Sequence, residues 1–225
     1  MWDKSAIKVI RLRAGEHTVP ADDCSHNGWQ ALQVTLRSDV FIEAFPLTWS
    51  DFAEFAAARG YAIDRFWPHD RVDLSLPHDR ICQLSDSAWK AGASWSSVIR
   101  ALTWDEASAV CRWSGSRLPF EVEWRLAEIG TDSFRTVDGP EWTNDAFDPL
   151  PLIGEDGRGL ACGLAGRPAM LAVRMASRAG SSRRGLPRSG NGLLTAARRV
   201  WEKPPRNGKP TEVVAEVRGS VKTEG

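Results

Sequence analysis

Residues 6–14, AIKVIRLRA, set apolar Ile7, Val9, Ile10 and Leu12 among basic neighbours. That near-alternation matches the two-residue side-chain period of a strand and predicts one with a wet face. ALQVTLR at 31–37 alternates again through Leu32, Val34 and Leu36, and DVFIEAF at 39–45 follows directly. The polar run DDCSHNG (22–28) interrupts the series as a loop. The period then changes. In TWSDFAEFAAARG (48–60), Phe52, Phe55, Ala56 and Arg59 share one helical face. Thr48 and Asp51 form a capping box with Asp in place of the usual Glu, and Gly60 is the expected stop. TWDEASAVCRWSG (103–115) repeats this grammar, with Thr103 and Glu106 as the box, a stripe of Trp104, Ala107 and Cys111, and Gly115 as the end. A third helix is predicted from Arg117-Leu118-Pro119 to Gly130, with Pro119 in its first turn and an inner stripe of Phe120, Trp124 and Ala127. Glu121 and Glu123 suit its positive N-terminal end. Beyond residue 131 the chain turns to short polar pieces and loops. Residues 1–202 read as a single domain, and the Pro/Gly-rich 203–225 as a polar tail, ordered only if docked.

Composition removes some function classes. Twenty-nine basic residues balance 29 acidic ones, so no electrostatic argument favours nucleic acid or an anionic membrane as partner. No run reaches the about eighteen apolar residues of a membrane span, and the first residues lack an apolar signal region. A cytoplasmic location is therefore expected. Cys24, Cys82, Cys111 and Cys162 are scattered without a CxxC, so free thiols are expected rather than a zinc site or a disulfide framework. Eleven Trp stand against one Tyr. Each Trp carries a large apolar surface and one N–H that needs a partner, which suits a loop-rich fold pinned by aromatics.

The second and third helices together read CRWSGSRLPFEVEWRLAEIG (111–130). This resembles the C-R-W-x-G-x-R-L-P-T-E-A-E-W core of the formylglycine-generating enzyme, or sulfatase-modifying factor, family. VFIEAFPLTWSDFAEFAAARGY, SVIRALTWDEASAVC and EWTNDAFDP resemble that family's flanking motifs in the same order, from about residue 39 to 149. The resemblance implies an irregular, loop-rich α+β fold related to C-type lectins, in which Arg117, Glu121, Glu123 and Trp124 form packed, salt-bridged scaffold. It also implies a copper oxidation of a substrate cysteine, but the matching region, Val173 to Val200, contains no cysteine. Serines cannot replace thiolates as soft Cu(I) ligands. The stretch that usually supplies calcium ligands is almost gone; only Asp138 and Glu141, in DGPEW, offer hard oxygens where calcium takes six to eight. ARRV (197–200) stands in for the family's final G-F-R. A pseudoenzyme with no cofactor is the expectation, with iron or calcium as alternatives.

Other constellations are weighed beside this. Asp22, Asp23, Cys24 and His26 fit an Asx-rich turn better than a metal site. PHDR occurs at 68–71 and 77–80, so His69, Asp70 and His78 form the alternative iron-ligand set. RMASRAGSSRRGLPR (174–188) packs arginines among Ser and Gly, whose forks suit a carboxylate or peptide terminus. The candidate ligand-binding groove is therefore Trp142, Arg174, Arg178, Arg183 and Arg184. The expected function is a non-catalytic binding or assembly module for a peptide, glycan or protein partner. The alternatives are an iron oxidoreductase or an activating subunit.

Overall fold

In a computed structural model of the chain, the described residues are 6–21, 31–68, 94–100, 102–137, 139–146, 171–177, 180–186, 195–205 and 211–219. In chain order the elements are β1 (Ile7–Leu12), β2 (Gly15–Val19), β3 (Leu32–Leu36), β4 (Val40–Glu43) and α1 (Trp49–Ala57). Two 3-10 turns, Gly60–Ala62 and Asp64–Phe66, precede α2 (Trp104–Trp113) and α3 (Glu121–Gly130). Then come β5 (Gly139–Ala146), β6 (Leu171–Ser177), β7 (Gly180–Leu186), β8 (Val200–Trp201) and β9 (Thr211–Val217). The strands form a four-stranded sheet in the order β8-β4-β1-β9, a β2-β3 pair and a β5-β6-β7 sheet. The class is α+β, as the resemblance implies.

The helix starts follow local rules. At α1 the Thr48 hydroxyl accepts the Asp51 N–H while the Asp51 carboxylate accepts the Thr48 N–H. At α2, Thr103 and Glu106 make the same reciprocal pair. These satisfy donors that a helix leaves orphaned at its first turn. Gly115, at φ +70°, supplies the left-handed residue after α2, and the Ser116 N–H closes onto the Cys111 carbonyl at 2.9 Å. The end of α1 differs from the expected glycine stop. Its left-handed residue is Arg59, at φ 56°. Gly60 is needed for space, because a Cβ there would lie 2.0 Å from the Phe55 ring.

The third helix also begins differently. Pro119 lies outside it, and Phe120 is the residue before the first turn. Glu123 reaches back to the Phe120 N–H at 2.8 Å, which is half a capping box. The other half comes from β5, where Asp145 accepts the Glu121 N–H at 2.6 Å.

Two large apolar clusters and one small one result among the described residues. α3 lays Val122, Trp124, Leu126 and Ala127 over Ile10, Leu12, Val34 and Ile42. α1 and α2 enclose Phe52, Phe55, Tyr61, Trp67, Val110 and Trp142. The second face of β1 is not wet, because Ile7 and Val9 pack against Phe41 and Trp201. Part of the expected tail is also a strand. β9 pairs parallel to β1 from Ile7↔Thr211 to Leu12↔Val217, and Val217 packs so close to α3 that a Cβ at Gly130 would meet it at 2.5 Å. β2 escaped the pattern reading because GEHTV holds few apolar positions, yet it pairs fully with β3.

The indole N–H groups act as cross-links between distant segments. Trp67 donates to the Gly60 carbonyl, Trp104 to Thr143 and Trp142 to Leu102, at 3.1, 2.9 and 2.8 Å. Cys111 is buried and unbonded to other cysteines. Burial pushes its thiol up from 9.0 to about 12. The raised value favours the folded state fully below pH 9.0, and that contribution is lost as pH rises through about 12. Cys111 is expected to resist alkylation at pH 8 in the folded protein and to react on unfolding, read by mass mapping of the Cys111 peptide.

Candidate functional site

The RLPFEVEW segment builds a network of buried charge. Arg117 forks onto Glu123 with Nη1 and Nη2 at 2.7 and 2.6 Å, over the Phe120 ring, whose centroid is 4.6 Å away. Burial opposes the Arg117 charge, but Glu123 outweighs it and the pKa is raised. Glu121 faces Arg174 at 3.9 Å, and the Arg174 guanidinium lies 5.5 Å from the Trp124 ring centroid. Trp124 donates its Nε1–H to Glu141 at 3.2 Å.

Glu141 is held chiefly by Arg198, whose Nε and Nη2 donate to its two oxygens at 2.6 and 2.7 Å. The remaining Arg198 donors reach the carbonyls of Glu43 and Arg135 at 3.1 and 3.0 Å. The guanidinium stacks 3.8 Å from the Phe134 centroid. Its neighbour Arg199 bridges Glu43 and Asp51, with Nη2 at 2.5 and 2.8 Å from them. Burial pushes the Glu43 carboxyl up, and Arg199 offsets only part of that. Arg199 itself is held more firmly protonated by the two carboxylates, despite burial. ARRV, a blurred match by sequence, thus carries two buried arginines that tie β4, α1 and β5 together. The sequence signal was their sign, two charges beside Ala196, Ala197 and Val200 in an apolar run.

The predicted site residues separate accordingly. Trp142 and Arg174 are each 0% exposed, so neither forms the wall of an open groove. Arg183 and Arg184 lie on β7 opposite Arg174 and Val173 of β6. Glu141, proposed as a calcium ligand, has both oxygens committed to Arg198. His69, Asp70, His78, Asp138 and Arg178 lie outside the described residues. Among the described residues, no group of three His, Cys, Asp or Glu is placed to hold a metal ion. No helix of the described residues is long and apolar enough to cross a membrane.

A feature that sequence reasoning missed is an open cleft of about 710 Å³ between residues 113–117, at the end of α2, and residues 200–205, along and after β8. Trp113, Arg117 and the buried Trp201 are among its lining residues, with the exposed Glu202 and Lys203. The two sides meet through the Arg117–Val200 backbone pair, at 3.0 and 2.8 Å.

The Sulfatase-modifying factor enzyme 1-like domain family matches residues 3–139. The chain belongs to that family. Among curated relatives, it is 27% identical over 146 residues to "Inactive C-alpha-formylglycine-generating enzyme 2" of Mus musculus, covering 54% of this chain and 47% of that protein. The Bos taurus protein of the same name is 26% identical over 149 residues, covering 55% and 49%. The chain therefore spans about half the length of these relatives. The solved structure of PvdO from Pseudomonas aeruginosa superposes with a TM-score of 0.55 at 12% identity, covering 85% of this chain and 93% of that one. That likeness shows the fold alone. This sulfatase-modifying-factor member is divergent, because the Val173–Val200 stretch lacks the thiols that copper chemistry would use.

Proposed function

We propose that this divergent domain is a non-catalytic binding or assembly module for a protein or peptide partner. The observation that carries this reading is the fate of the signature residues. Glu123, Trp124, Glu141 and Arg198 are buried and closed into pairs, and the part-buried Arg117 is held by Glu123. Groups so paired are poor acids, bases or ligands, because leaving their partners would strand a charge in a low-dielectric interior. The curated relatives' own name, "inactive", points the same way. Two thiolates for Cu(I) are missing from the matching stretch.

The test is reconstitution with Cu(I) and a cysteine-containing acceptor peptide. The expected outcome is no aldehyde product by mass spectrometry and no near-stoichiometric copper on the re-purified protein. Copper-dependent conversion of the peptide cysteine would overturn the reading.

A further inference from the structure

We infer that β9 is a releasable strap that locks the corner between two strand pairs, β1–β4 and β2–β3. The inference is independent of the module reading. β1 pairs with β4 up to Leu12↔Val40, and β2 pairs with β3 from Gly15↔Leu36. Arg13 and Ala14 on one side, and residues 37–39 on the other, therefore form a corner. Some of its ties are local. The Asp39 carboxylate accepts the Ala14 N–H and the Arg11 Nε–H, both at 2.8 Å. The His17 ring donates to the Arg13 carbonyl at 2.7 Å. β9 adds the others. It pairs with β1, the Val217 carbonyl accepts the Arg13 N–H at 2.9 Å, and Val217 fills the space over Gly130 of α3. Past its end, Gly219 lies against β2, where a Cβ would stand 1.9 Å from the Glu16 carbonyl oxygen. Val19, Val34 and Leu36 keep β2 and β3 seated on the α3 cluster, so release of β9 loosens the corner and not the pair.

The strap is held lightly. Of its side chains only Val217 is buried, while Glu212, Val213 and Glu216 are exposed. Val214 and Ala215 are part-buried against the α3 cluster. The register with β1 slips between Val9 and Ile10, so Val214 falls between two pairs. Parallel pairing is also slightly weaker per residue than antiparallel. Part of the remaining hold is ionic. Arg11 donates its Nη1–H to Glu216 at 3.2 Å while the same guanidinium holds Asp39. Arg13 stands 3.9 Å from both Asp39 and Glu216. These side chains are 25–43% exposed, so dissolved salt screens their attraction. β4 differs on every count: it lies between β1 and β8, and each of its residues is buried. Local opening starts where few apolar contacts hold a segment. β9 therefore leaves as a unit while β4 and α3 stay folded, and ionic strength sets how often.

Hydrogen exchange of the full chain, read by mass spectrometry, tests this. Protection at 211–217 and at 13–16 is expected to be at least about tenfold below that at 40–43. Raising NaCl from about 0.05 M to about 0.5 M is expected to lower both by about threefold and leave 40–43 unchanged. Glu216→Gln, at an exposed position, is expected to do the same at low salt, by about threefold. Gly219→Ala is expected to lower both by about fivefold, because its methyl presses the end of the strap off β2. Protection at 211–217 equal to that at 40–43 would overturn the inference, since β9 would then open only with the whole fold. Weak protection at 211–217, with 13–16 unmoved by salt and by both substitutions, would show a fraying end and no strap. Salt-independent protection at 211–217 would remove the ionic hold and overturn it too. None of those outcomes touches the Cu(I) assay, so the strap can fall while the module reading stands.

Discussion

Arg198→Ala is expected to remove about 3–5 kcal/mol of folding stability, the usual cost of breaking a buried pair on one side. That is a large part of the about 5–15 kcal/mol that holds a typical domain. The substitution leaves Glu141, 1% exposed, with its charge uncompensated. It also takes donors from the carbonyls of Glu43 and Arg135 and uncovers the Phe134 ring. Arg198→Lys should rescue little, because an ammonium cannot span two carboxylate oxygens and two carbonyls as the planar fork does. Urea midpoints for the two variants check this. The double replacement Glu141→Met with Arg198→Met is expected to recover most of the loss, since removing both charges removes the desolvation cost as well. If the double variant were as unstable as Arg198→Ala, the pair's worth would lie in the carbonyl contacts instead.

Trp124→Ala is expected to cost about 3–5 kcal/mol through the cavity left by a fully buried indole. Trp124 meets Phe134 edge-on at 5.3 Å, faces Arg174 and donates to Glu141. Trp124→Phe separates these contributions. It keeps an aromatic ring against Phe134 and loses the hydrogen bond, at about 1–3 kcal/mol for an unsatisfied partner. Thermal melts of the two variants, followed by near-ultraviolet circular dichroism, give the comparison. Equal loss in both would show that the indole N–H, rather than packing, fixes α3 on β5.

What could be read from the sequence was local. Thr48 with Asp51, Thr103 with Glu106, and Gly115 act on neighbours within one helical turn, and each behaves as its spacing says. The family signature was legible for the same reason. The start of α3 was misplaced because its cap, Asp145, comes from 24 residues away. Gly60 has its role only through the Phe55 ring, and Gly130 only through Val217, which no pattern of periods reveals. Of the groove residues, Trp142 and Arg174 are buried. A Trp reads alike whether its N–H meets ligand or, as for Trp142, the Leu102 carbonyl 40 positions back. Arg174 and Arg198 likewise look like surface charge until the strands that bury them are in place. The cleft was invisible because its two sides, 113–117 and 200–205, lie far apart in the chain and meet only in the fold.

The parallel partnership of β1 with β9 sets a timetable for the chain's birth. β1 is made well before β9, its partner on one side. At about 5–20 residues per second of synthesis, β1 waits many seconds with one edge unfilled. A ribosome stalled before residue 211 would hold a nascent chain with an open strand edge, the kind of surface that recruits other chains into aggregates. The arrival of Val217 in the notch that Gly130 leaves on α3 is the step that ends this exposure.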